Sequence, residues 1–143
     1  MIDIDAMVDG LVDVLKANGD IVSLTATIDT SDIDDHTKLN GIYVKVLPAP
    51  RIPTMDRIAW GVTKYVVEIH IYVIEKRLLT ASSDEDVRVV IPYILDTLYS
   101  DASLNGAAGG ITRIGEILDI PNELGARIYD IPIYYEYLDN ILT

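Results

Sequence analysis

The chain of 143 residues contains no cysteine, no phenylalanine and only one tryptophan. Without cysteine it cannot form disulfide bonds, zinc–thiolate sites or a cysteine nucleophile, and this absence fits a cytosolic origin. Nine tyrosines supply nearly all of its aromatic rings. Because each tyrosine hydroxyl needs water or a partner, such rings suit half-buried interfaces.

Long apolar runs are also absent, and none approaches the roughly 20 residues that a membrane span needs. The first residues are acidic (Asp3, Asp5 and Asp9), whereas a secretory signal begins with basic ones. We therefore expect no signal peptide and no membrane association. Half of the residues are hydrophobic, and the mean hydropathy is +0.26, so we predict one packed domain over residues 1–143.

Basic residues are scarce, with 11 Lys and Arg against 23 Asp and Glu, and a net charge of −12. This balance argues against specific nucleic-acid binding, which needs clustered basic side chains. The charges are unevenly spread: residues 1–40 carry −7, residues 41–77 carry +3 and residues 78–143 carry −8. A basic arm on an acidic body can attract the acidic body of an identical neighbour.

Two segments have the apolar periodicity of amphipathic helices. The first, over residues 3–17, ends at the helix-stopping pair Asn18 and Gly19. The second follows a capping-box pattern at Ser82–Glu85 and contains Pro92, which predicts a kink or a later start of its regular part. Their apolar stripes consist of Ile4, Met7, Val8, Leu11, Val12 and Leu15, and of Val87, Val90, Ile91, Ile94, Leu95 and Leu98.

Alternation of side chains predicts strands over residues 42–47, 64–74 and 129–137, with a weaker one over 111–118. Pro132 predicts that the last strand lies at a sheet edge or contains a bulge. Residues 29–37 are polar and predict a loop, while residues 48–63 predict a Pro-rich, extended hairpin excursion. The order α-β-β-α-β-β predicts an α+β fold, with two main helices on one face of an antiparallel sheet of about four strands.

The loop predicted at residues 29–37 is the best metal candidate, because hard carboxylate oxygens at short spacing can bind Ca²⁺. Its candidate ligands are Asp29, Asp32, Asp34, Asp35 and His36. The EF-hand order of residues is absent, so we predict a solvated acidic loop and no metal or cofactor.

His70 is the best catalytic candidate, since it lies beside Glu68 and Tyr72 on the mixed face of the strongest strand. No serine lies in a nucleophile elbow, and the glycines at 106, 109 and 110 match no phosphate-binding spacing. We predict cross-strand packing for His70 and no enzymatic activity.

In its order of elements the chain resembles the tail-terminator (tail-completion) proteins of long-tailed bacteriophages and their prophage relatives. The resemblance covers nearly the whole length and includes the opening helix and the strands at 42–47 and 65–74. It continues through the helix and loop "ILDTLYSDASLNGAAGGITRIGEI" and the closing strand "ARIYDIPIYYEY". Neck and head-closure proteins share much of this plan and remain an alternative.

The resemblance implies a homohexameric ring on the head-proximal end of a phage tail. Such a ring ends polymerisation of the tail tube protein and joins the tail to the head connector. It implies a location in the virion, and in the host cytoplasm during assembly, with DNA passing through an acidic lumen.

The charge distribution predicts that the subunit or tube interface includes a basic arm with an aromatic anchor. Large rings in polar loops are typical binding hot spots. The predicted interface residues are Lys45, Arg51, Arg57, Trp60 and Lys64. A module that binds another acidic protein outside a virus, and a small enzyme that uses His70, remain alternatives.

Overall fold

The computed structural model describes residues 4–25, 27–30, 41–49, 54–59, 62–76, 85–100, 110–120 and 126–140. These residues form three helices and a seven-stranded, mostly antiparallel sheet, which confirms the α+β fold. The elements are α1 (Ile4–Lys16), α2 (Gly19–Leu24), β1 (Thr27–Asp29), β2 (Gly41–Pro48), β3 (Thr54–Ala59), β4 (Val62–Lys76), α3 (Glu85–Ser100), β5 (Gly110–Ile114), β6 (Leu118–Ile120) and β7 (Ala126–Asn140).

The sheet is built around β4 and β7, two 15-residue strands that pair antiparallel from Val62 opposite Asn140 to Lys76 opposite Ala126. The other edge of β4 is shared, since β3 pairs with its first part and β2 with its last part. The other edge of β7 is shared by β5 and β6 in the same way. Only β1, beside β2, pairs in parallel within the described sheet.

One face of this sheet packs against the helices and forms the core. Because side chains alternate along a strand, the apolar residues of β4 at positions 67, 69, 71 and 73 all point to this face. The fully buried members of the core are Leu11, Leu15, Ile21, Val44, Val46, Ile69, Ile71, Val73, Val90, Ile94, Ile131, Ile133 and Tyr135. The predicted apolar faces of the first helix and of the strand at 64–74 are therefore confirmed.

The predicted helix stop at Asn18 is confirmed, and this residue also begins the next helix. Its side-chain Oδ1 accepts hydrogen bonds from the backbone N–H groups of Asp20 and Ile21, so it caps α2. The second predicted helix is α3, which runs through Pro92 rather than starting after it. Residues 81–84, which include most of the capping-box pattern, lie outside the described residues. No described helix is long and apolar enough to cross a membrane.

The prediction for Pro132 was wrong about the sheet edge, because β7 has neighbours on both sides. Pro132 lies opposite His70 of β4. On the other side its carbonyl accepts a 2.7 Å hydrogen bond from the N–H of Gly115, which lies between β5 and β6. The proline thus occupies the point where β7 changes partners. Its missing N–H costs little there, because the ladder is already interrupted.

The sheet has three more strands than the predicted four, because β1, β3 and β6 have no periodicity of their own, and β5 corresponds to the weaker strand predicted over 111–118. β1 and β6 contain only three residues each, and β5 and β3 each have an irregular register against their partner. Asp29, predicted in a loop, belongs to β1. Backbone pairing with longer strands stabilises these segments, so tertiary context and not local propensity creates them.

Candidate assembly surface

Beyond the core, β3, β4 and β7 continue together as a three-stranded ribbon, which we define as residues 54–59, 62–66 and 136–140. The buried apolar face of β4 ends at Val67, opposite the buried Tyr135. Five further residues, at a rise of about 3.3 Å each, carry β4 roughly 17 Å past that point to Val62. Of the hairpin excursion predicted at about residues 48–63, the structure describes β3 and the start of β4, while residues 50–53, 60 and 61 lie outside the described residues.

Lys64 is the predicted interface residue whose side chain the structure describes on this ribbon. Its Nζ lies 3.5 Å from Oε1 of Glu136, and both side chains are about one-third exposed, at 31% and 37%. An ion pair at this distance and exposure contributes little to stability, because water screens it. The ammonium of Lys64 therefore remains accessible to a partner.

Lys45 does not belong to this surface, which corrects its inclusion in the predicted interface. It is fully buried in β2, and its Nζ donates a 2.5 Å hydrogen bond to Oδ1 of Asp29. The register of β1 and β2 places these two residues side by side. Because a charged group is buried only when it is paired, Lys45 uses its charge inside its own subunit.

The remaining predicted interface residues are less fully described. Arg57 lies in β3 opposite Thr63 of β4, beside an irregularity in the strand register. Arg51 and Trp60 lie outside the described residues. Their role in an interface stays a prediction.

The helices present an acidic outer surface, which we define by five exposed residues: Asp5, Asp9, Asp13, Asp20 and Asp96. A groove of about 360 Å³ runs between the ends of α1 and α3 and is lined in part by Asp13 and Asp96. Asn18 and Thr97 also line this groove, and Nδ2 of Asn18 donates a 2.7 Å hydrogen bond to Oγ1 of Thr97. The helices thus carry negative charge, whereas the hairpin part of the ribbon, residues 54–66, carries +1 from Arg57 and Lys64 against Asp56. Glu136 and Asp139 of β7 bring the three strands together to −1, so the contrast in charge is confined to the hairpin.

The other face of the sheet carries a polar cluster of Glu68, His70 and Tyr72 from β4 and Asp130 from β7. His70 Nδ1 lies 2.6 Å from Oδ1 of Asp130, and its Nε2 lies 3.0 Å from Oε2 of Glu68. The rings of His70 and Tyr72 stack with centroids 5.7 Å apart. Sequence alternation groups His70 with its neighbours in β4 but misses Asp130. An acidic residue within an otherwise apolar strand is the signal that could have identified it.

The cluster perturbs the ionisation of two of its members. Burial alone lowers the pKa of His70, but hydrogen bonds to Asp130 and Glu68 and their negative charges outweigh it and raise the pKa above 6.5. Burial, followed by the charges of Asp130 and Glu68, also raises the pKa of Tyr72. Both ring nitrogens of His70 are engaged by carboxylates, whereas a general base needs one of them facing a substrate or nucleophile.

The described residues contain no group of three or more His, Asp or Glu placed to hold a metal ion. Of the acidic loop predicted as a metal candidate, Asp29 pairs with Lys45. Residues 31–40, which contain the other candidate ligands, lie outside the described residues.

Comparison with solved structures shows a shared fold. No protein-family model and no curated protein sequence matches the chain. Among solved structures, it is similar to a chain from the virion of a native gene transfer agent (GTA) particle. The two share 17% sequence identity with a TM-score of 0.57, over 88% of this chain and 90% of the other. At this identity the similarity shows the fold.

Proposed function

We propose that this protein is a structural component of a phage-like virion and that it forms a ring at the head-proximal end of the tail. In this position it ends polymerisation of the tail tube and joins the tail to the head connector. It acts in the virion after assembly in the host cytoplasm, and it catalyses no reaction. The fold shared with a GTA virion chain over most of both lengths is the observation that carries this proposal.

The charge distribution supports a ring of identical subunits. A closed ring needs two different complementary patches on each subunit, one for each neighbour. The hairpin part of the ribbon, residues 54–66 with Lys64, and the acidic outer surface of the helices are two such patches on different parts of the chain. We place the ribbon of one subunit against the helices of the next, and six copies in the ring, as the resemblance to tail terminators implies.

The net charge of −12 also suits passage of DNA. A lumen lined with carboxylates repels phosphate groups, so a genome can slide through without binding. The proposed partners are thus further copies of this chain, the tail tube protein and the head connector.

The most direct experiment mixes the protein with its cognate tube protein and images the tube ends by electron microscopy. We expect a cap on one end of each tube and a narrow distribution of tube lengths. Tubes that grow equally long with and without the protein, and that have bare ends, would contradict the proposal. A protein that instead binds only the head connector would favour the neck or head-closure alternative.

A matched pair of variants tests the ribbon. Lys64→Gln and Lys16→Gln each remove one positive charge, but Lys16 lies exposed on α1, away from the ribbon. We expect Lys64→Gln to weaken self-association several-fold and Lys16→Gln to leave it unchanged or strengthen it, because rim charges steer complementary surfaces together. Light scattering at two salt concentrations measures both. Equal effects of the two variants would rule out a specific role for the ribbon.

Two other functions remain as alternatives. The same ribbon could bind an acidic protein outside a virus, in which case the gene would not lie beside tube and tape-measure genes. An enzyme that uses His70 would lose activity in His70→Ala. The two carboxylates that hold the imidazole favour a structural role instead.

A further inference from the structure

The geometry of His70 defines the protonation state of its ring. Asp130 and Glu68 approach opposite ring nitrogens at 2.6 and 3.0 Å, both within hydrogen-bond distance. A neutral imidazole has only one N–H, so its other nitrogen would direct a lone pair at a carboxylate oxygen. Only an imidazolium donates to both ionised carboxylates.

We propose that His70 is a proton-operated clasp: as an imidazolium it links Glu68 of β4 to Asp130 of β7, and loss of its proton breaks one of the two links. The clasp is independent of the proposed virion function. It joins the two long strands close to the place where they leave the core to form the ribbon. His70 lies four residues after Val66, the last residue of β4 in the ribbon. The three side chains are well shielded, with exposures of 16% for His70, 15% for Glu68 and 10% for Asp130.

Glu68 and Asp130 are the charged partners of His70, because the other described groups that face it are neutral or are paired elsewhere. Leu47 of β2 and Pro132 of β7 lie directly opposite His70, and neither titrates. Tyr72 stacks on the ring, and its raised pKa keeps it neutral near physiological pH. Described cations on this face are engaged elsewhere: Lys45 of β2 is hydrogen-bonded to Asp29 of β1, and Arg113 of β5 lies over the ring of Tyr134. Lys64, six residues before His70 in β4, lies 3.5 Å from Glu136 of β7.

The raised pKa of His70 fixes the direction of the pH effect. A group whose pKa is higher in the folded state binds its proton more tightly there than in the unfolded chain. Its contribution to stability is therefore complete below pH 6.5, the ordinary value, and is lost as the pH rises through the folded-state pKa. Loss of the proton leaves a neutral ring between two anions, so the contact between β4 and β7 weakens.

Nuclear magnetic resonance of the ring nitrogens tests the protonation state directly. The chain contains only two histidines, His36 and His70, so His36→Gln leaves one signal set to assign. We expect both ring nitrogens of His70 to carry protons at pH 6.5 and its titration midpoint to lie above 6.5. A neutral single tautomer at that pH, or a midpoint at or below 6.5, would overturn the clasp.

Single substitutions of the carboxylates then test both links. Glu68→Gln and Asp130→Asn each remove one negative partner while keeping similar size, so each should shift the His70 midpoint downward. If neither variant shifts it, the two carboxylates do not hold the proton.

Urea unfolding at several pH values tests the consequence for stability. We expect the urea midpoint of the wild-type protein to fall between pH 6.5 and 8.5 by more than that of His70→Gln. The control His36→Gln should keep the wild-type dependence. If the urea midpoints of the wild type and His70→Gln depend on pH in the same way, the clasp is overturned. If His70→Gln does not fold, the ring-nitrogen spectra of the wild type decide whether His70 holds two protons.

Discussion

The close approach of Gly115 to Pro132 gives a prediction whose size follows from the structure. A Cβ atom added at Gly115 would lie 2.7 Å from Cγ of Pro132 and 3.3 Å from Cε2 of Tyr134. Ordinary contacts of this kind begin near 3.4 Å. The proline ring is rigid and buried, and its carbonyl is bonded to the Gly115 N–H, so the ring cannot rotate away. Something in the backbone must shift.

We therefore expect Gly115→Ala to lower the free energy of unfolding by about 1–3 kcal/mol, the usual cost of overpacking. Gly19→Ala is the matched control, because a Cβ there meets nothing within 4 Å. In that variant alanine replaces the first residue of α2, and its helix propensity should raise stability by up to about 1 kcal/mol. Urea unfolding measures both changes in the free energy of unfolding. The m-value, which is the slope of that free energy against urea concentration, should stay unchanged in both variants.

A second background separates the clash from other effects of the new methyl group. Pro132→Ala removes the Cγ atom that the added Cβ would strike, while the proline Cβ, 3.5 Å away, has a counterpart in alanine. The cost of Gly115→Ala should then be smaller in Pro132→Ala than in the wild type, which a double-mutant cycle measures. The reasoning is refuted if Gly115→Ala is as stable as the wild type, or if its cost is the same in both backgrounds.

Two further changes test the core and the helix cap. Asn18→Ala should cost about 1 kcal/mol, because it removes the cap of α2 together with the bond to Thr97; an unchanged free energy of unfolding, measured with urea, would contradict a contribution from the cap. Ile71→Ala should cost about 2–5 kcal/mol, since the side chain is fully buried. Tyr99→Ala, at a side chain 73% exposed, should stay within about 0.5 kcal/mol, and a larger loss there would contradict the assignment of the core.

The elements predicted correctly from the sequence have a periodicity long enough to identify them. The stripe from Ile4 to Leu15 covers more than three helical turns, and the alternation from Val67 to Val73 covers four buried positions. By contrast, β1 and β6 contain three residues each and become strands only because a longer strand lies beside them. Pairing between distant segments leaves no local pattern to read.

The same distance explains the errors at individual side chains. Lys45 alternates with apolar residues, as an exposed lysine would, and its burial depends on Asp29, which lies 16 residues earlier in a segment predicted as loop. Asp130 lies 60 residues from His70 in the chain, although the register of β4 and β7 brings them together. Neither contact could be identified without the strand order. By contrast, the side chain of Lys64 is partly exposed, as an interface role requires.

The burial of Lys45 changes where the positive charge acts, but it does not remove the complementarity between subunits. Because Lys45 pairs with Asp29, the outward charge of residues 41–77 falls from +3 to +2, and that of residues 1–40 changes from −7 to −6. Residues 50–66 alone carry +2, from Arg51, Arg57 and Lys64 against Asp56, so the remaining positive charge is concentrated in the hairpin part of the ribbon and the segment before it. Glu136 and Asp139, on the third strand of the ribbon, oppose it. At 0.1 M salt, charges are screened beyond about 10 Å. A short basic hairpin therefore acts on a neighbour only after close approach, where it selects the contact surface. Apolar contacts such as that proposed for Trp60 must then supply the salt-independent part of the affinity.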